Sequence, residues 1–345
     1  MASSTLTSPA QRAAPGAAPG AARWPVKSRE HVDLWLHGFA MLSADSATVP
    51  LYRRGYREAL TATRAAERTI NEFDANAEPL RDALASRAYL VGAQFLALEY
   101  GTWADLEATL DAFIRTDGST RPVPTALQQQ VARLAGLFRT REDRDFVRRY
   151  LLGLRSERDR FHHQWWLAET RRRDAALARA DSLWQSRFLP ALRRFLTHTR
   201  QGDGEIILST VLEGEGRTVT VAADRTVIAV GFPESPERAA DATYCAMHEL
   251  VGPLAAGAVD DNVTPAEKRS GVAERHLSMA LVRGGAVLAA RVGRDVAESY
   301  MRFYLRAAGV DAGSDAAATF ATTFPLPEPM LRAIERQVAV AFSGI

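Results

Sequence analysis

The chain is poor in sulfur and poorer still in lysine. Cys245 is the sole cysteine of 345 residues, so no intrachain disulfide can form. Within its apolar run it reads as a buried, inert thiol. Lys27 and Lys268 are the only lysines among 43 basic residues. Arginine clusters such as Arg171-Arg172-Arg173 are interleaved with acids at helical spacing, the pattern of a solvated face. With a formal net charge of only +2, no nucleic-acid partner is expected. No run approaches the roughly 18 uncharged apolar residues that a membrane span requires, so no span is expected either. There is no GxSxG elbow, no P-loop, and no GxGxxG between a strand and a helix, which leaves no sign of a nucleotide or a covalent nucleophile. The N-terminus also lacks the basic start and apolar block of a secretory signal. A cytoplasmic location follows, or an exported one if the natural start lies upstream. Residues 1–22, dominated by Ala, Pro, Gly and Ser, read as a disordered leader.

What remains is mostly helix. Val32, Leu34, Trp35, Leu36, Phe39 and Leu42 give a first helix an apolar face, with Ser28 as its expected cap. Further helices are expected after Pro50, over 79–100, from Thr102 through Phe113, and over 127–138. Long amphipathic helices with dense Glu/Asp/Arg pairing run from Glu142 to His198. The texture changes at Gln201-Gly202-Asp203-Gly204. Residues 205–212, 217–222 and 226–232 are rich in β-branched side chains and read as a short antiparallel meander. Helices follow at about 237–252, 265–291, 294–308 and 328–342. The expected fold is α+β and predominantly α-helical. A helical N-terminal domain over 23–200 precedes an α+β domain over 201–345, made of a small antiparallel sheet and a helical C-terminal part.

Chemistry concentrates in one place. Residues Ala242 to Gly252 form an apolar helical run carrying His248-Glu249. Two histidines at i and i+4 can face one metal while the Glu beside the first polarises its water. Here the i+4 position is Gly252, which brings no ligand, and Pro253 follows it. A strand, a short Pro-containing turn, an apolar helix with His-Glu and then a second helix with Glu274 resemble the gluzincin branch of the zincin metallopeptidases, over residues 204–308. The resemblance implies His248 as the first zinc ligand, Glu249 as the general base and Glu274 as the third ligand. The motif is degenerate (HELVG), so the implied cofactor is zinc, or none. His276 is a candidate replacement ligand, with Asp260, Asp261 and Glu267 as others.

Three functions remain open at this stage. One is a pseudoenzyme that binds a peptide or a protein beside the edge strand. Another is an active metallopeptidase with a replacement ligand. The third is a helical interaction protein unrelated to peptidases, with His248 buried for packing. The remaining histidines read as structural: His162-His163 beside Trp165 and Trp166 cannot chelate from one helix face, and His31 and His37 flank Trp35 at a spacing that does not suit a metal. Gly284-Gly285, inside an apolar helix, reads as a close-packing site. The sequence gives no oligomeric state.

Overall fold

A computed structural model describes residues 24–43, 49–223 and 225–343; the expected leader lies outside them. The fold is predominantly helical α+β, with one four-stranded sheet. A two-residue strand, β1 (Val26–Lys27), opens it, followed by α1 (Glu30–Leu42), α2 (Tyr56–Ala66) and α3 (Glu72–Ser86). Arg29 is the N-cap of α1 and makes no side-chain cap bond, so Ser28 does not serve as the cap. A single helix expected over 79–100 is two elements. Pro79 lies inside α3, and Ala88–Glu99 is a separate 3-10 stretch. Then come α4 (Trp103–Arg115), α5 (Thr125–Leu137) and α6 (Arg141–Glu157), the last entered through a Thr140/Asp143 capping box. A π-helical turn, Arg158–His162, joins α6 to α7 (His163–Arg172). A second, Trp184–Phe188, separates α8 (Asp174–Leu183) from α9 (Leu189–His198).

The three expected strands form close to their expected bounds: β2 (Asp203–Ser209), β3 (Arg217–Ala222) and β4 (Arg225–Gly231). Their pairing differs from a meander. The order is β1-β2-β4-β3, with β2 parallel to both β1 and β4, and only β3 antiparallel, at the edge beside β4. The sheet is therefore mixed. A chain of helices completes the fold: α10 (Ala240–Leu250), α11 (Gly252–Asp260), α12 (Pro265–Arg269), α13 (Val272–Val292), α14 (Arg294–Ala307), α15 (Ala316–Thr323) and α16 (Glu328–Ser343). The helix expected over 265–291 breaks at Gly271, whose φ of 73° takes the left-handed region open to glycine.

Side chains alternate across a strand with period two, and here both faces are covered. Ile206, Leu208, Ile228 and Val230 enter one core with α8 to α11, α13, α14 and α16. Ile207, Val227 and Ala229 enter a second core with α1 to α6. That explains the unbroken apolar runs of β2 and β4. Residues 174–198 pack with the C-terminal helices rather than with α1 to α6, so the cores do not divide at residue 200.

Candidate functional site

The strand β4 runs through Pro233 and Pro236 into α10, whose Ala242, Cys245, Ala246, Met247 and Leu250 are buried. His248 is buried too, stacked on Tyr304 at 5.5 Å and 22°. Its Nδ1 lies 3.0 Å from Glu249 Oε1. Thr218 Oγ1 of β3 donates to Glu249 Oε2 across 3.4 Å. Gly216 gives that carboxylate room: a Cβ there would sit 3.3 Å from Glu249 Cγ and 2.3 Å from the carbonyl oxygen of Ala229. Glu249 thus ties the active-helix candidate to the edge strand. Cys245 is buried, and burial pushes its thiol well above the ordinary range.

The implied zinc ligands do not converge. The backbone stays αR through Val251 into α11, so Gly252 follows His248 at nearly helical register. A Cβ on Gly252 would meet only Leu281 Cδ2, at 3.9 Å. Opposite this junction α13 presents Gly284, packed on Val251, and Gly285, against Tyr300. Glu274 lies ten residues earlier on that helix, about 15 Å along its axis at 1.5 Å per residue. It is exposed. His276 stands near the same end, beside Glu267, which caps Thr264. Asp260 pairs with Lys268 at 2.6 Å, and Asp261 follows it at the exposed end of α11. Among the described residues no three His, Cys, Asp or Glu side chains form a group able to hold a metal ion. Glu274 and His276 lie eight to ten residues, two to three turns, before the part of α13 that packs on Val251, so they are not brought beside His248. A catalytic zinc needs three protein ligands, and this donor set does not fit one.

A denser polar assembly lies in the other core, among residues that no motif marks. His37 bridges Tyr56 Oη (2.9 Å at Nδ1) and Glu157 Oε1 (3.0 Å at Nε2). Glu157 Oε2 also accepts from Arg64 Nη1 at 3.0 Å and from Asn71. One turn before His37 on α1, Asp33 Oδ2 accepts from Trp166 Nε1 (2.8 Å) and from Thr210 N and Oγ1. All but Trp166 are buried. His162 packs on His37 with ring centroids 5.1 Å apart, as its expected core role requires, yet neither ring nitrogen has a partner among the described residues. Burial holds His162 well below the ordinary imidazole range, helped by His37 and Arg158. It raises the Asp33 carboxyl and the Tyr56 phenol. Burial would raise Glu157 as well, but His37 and Arg64 outweigh it and hold the carboxylate low.

The missed signal was the i, i+4 pair Asp33/His37 on a helix that is otherwise apolar from Val32 onward. Glu157 and His162 are five apart and meet the same centre because the π-helical turn between them adds a residue to the turn. Chemically the Tyr56–His37–Glu157 chain can hold one proton in a fixed tautomer. Enclosed as it is, it locks α1, α2, α3 and α6 together. In comparisons with known proteins, no family model matches the chain, no curated protein matches it, and no solved structure does.

Proposed function

We propose that this chain is a zincin-like scaffold without a working metal site, a pseudoenzyme that binds an extended peptide or protein segment along β3. The observation that carries this reading is the position of β3. It is the outer, antiparallel strand of the sheet and lies directly in front of Glu249. An open edge strand offers unpaired N–H and C=O groups to a visiting strand, and pockets on alternate sides give it specificity. The order of edge strand, α10 with His248-Glu249, and α13 supports the layout. Gly252 in place of a ligand, and the glycine pair where α13 meets α10, support the loss of metal.

The distance of Glu274 favours a second reading, a helical interaction protein with no peptidase ancestry. Both are binding functions, and they part from a live peptidase in one experiment. Elemental analysis of the purified chain, beside His248→Ala, is expected to find zinc far below one per chain in both. Stoichiometric zinc that vanishes in His248→Ala would overturn the pseudoenzyme reading. For the binding surface, extended peptides that bind are expected to slow hydrogen exchange of the β3 amides. Binders that leave β3 exchange untouched would remove the edge-strand site.

A further inference from the structure

Away from both polar sites, α13, α14, α15 and α16 enclose an open groove of about 630 Å³. Ala286 and Ala290 of α13 form part of its lining, with Met301, Phe320 and Leu331 from the other three helices. Small side chains on a helix face let another helix approach closely. Three charges line the same groove: Arg283, Arg291 and Glu335. Arg283 lies over Phe320 at 5.7 Å and Arg291 over Phe342 at 5.8 Å. No ion pair within the chain engages any of the three among the described residues, whereas Glu298 pairs with Arg302 on α14 and Glu328 with Arg332 on α16. Burial lowers the Arg283 guanidinium, with the charges of Glu328 and Glu335 acting the other way.

A face that is apolar at its centre and carries both signs unpaired suits a copy of itself. Across a two-fold axis, residue i of one chain meets residue j of the other and the reverse. Each Glu335 can then reach the arginines of the opposite copy. An anionic amphiphile would satisfy the arginines but would set its headgroup against Glu335, and an acidic helix would meet the same repulsion. We propose that this groove is the interface of a symmetric dimer, in which Glu335 of each copy pairs with Arg283 or Arg291 of the other.

Sedimentation of the whole chain over micromolar to submillimolar concentrations tests it. The chain is expected to dimerise, and Arg283→Glu to weaken the dimer by at least tenfold, as like charges across an interface do. Glu335→Arg, at an exposed position that leaves the fold alone, is expected to weaken it similarly. The double variant Arg283→Glu/Glu335→Arg restores the opposite signs and is expected to recover the dimer. A chain that stays monomeric throughout overturns the proposal, whether or not a fatty acid or an acidic peptide fills the groove. So does a dimer indifferent to all three variants, or one that the double variant fails to restore.

Discussion

The two polar regions of this molecule differ in how their charges are finished. Around Glu157 a carboxylate meets an imidazole, a guanidinium and an amide, all buried, on four helices. Around Glu249 a carboxylate meets one imidazole and one hydroxyl at the sheet edge. The first is a closed network whose members depend on each other; the second is open on one side. A recognisable dipeptide marks the open one, while the more elaborate arrangement comes from residues scattered over α1, α2, α3 and α6. Chemistry that looks like a motif need not be where the protein has invested its polar contacts.

Removing one acid from each region gives the largest contrast. Glu157→Ala strips buried His37, Asn71 and Arg64 Nη1 of their shared acceptor, leaving Arg64 with Asp74 alone, and should cost about 3 kcal/mol in denaturant unfolding. Glu249→Ala loses two neutral-to-charged contacts at a part-exposed position and should cost about 1 kcal/mol. Equal costs would mean that the edge contact is as deeply coupled as the core network. Next in size, Gly285→Ala puts a Cβ at 2.0 Å from Tyr300 Oη, an overpacking that should cost about 1–3 kcal/mol. Gly252→Ala, with free space and helical backbone, should instead gain about 0.4–1 kcal/mol. A loss at Gly252 would show that a Cβ there crowds the Pro253 ring that follows it.

The pH response sharpens the same comparison. His162 has a folded-state pKa well below its ordinary 6.5, so the unfolded chain binds the proton first. Stability is then full above about pH 6.5 and falls as pH drops below it, by about 1.4 kcal/mol per pH unit until the folded ring titrates. His31, also lowered by burial, adds in the same direction. Asp33, raised, works oppositely in the carboxylate range. Thermal midpoints from about pH 7.5 to about pH 5.5 should therefore fall, and His162→Phe should flatten that slope. An unchanged slope would place the proton uptake elsewhere.

Much of the fold was legible because the signals are local. Strand bounds at 217–222, the helix carrying His248-Glu249, and the tight packing of Gly284-Gly285 all follow from residue type and spacing. The parallel pairing of β2 with β4 was not legible, since β-branched runs carry no direction. Yet Ile206-Ile207-Leu208 and the continuous Val227–Val230 run already implied a sheet covered on both faces rather than a half-open meander. Glu274 misled for a different reason. Spacing along α13 says which face a residue shares, not where along its length that helix meets α10. The centre at His37 needed α1, α2, the start of α3 and the end of α6 brought together, and only the pair Asp33/His37 announced it.

The alternation of β2 and β4 has a last consequence, for how the molecule can be divided. Ile206 and Ile207 are neighbours in sequence but serve opposite cores, so the sheet is a party wall. A fragment ending near residue 200 would keep α1 to α6 and lose their wall. It would also carry α8 and α9 without the helices they lie against. Neither half can be lifted out whole, and a protease that nicks the surface between them should yield two pieces that stay together until both unfold.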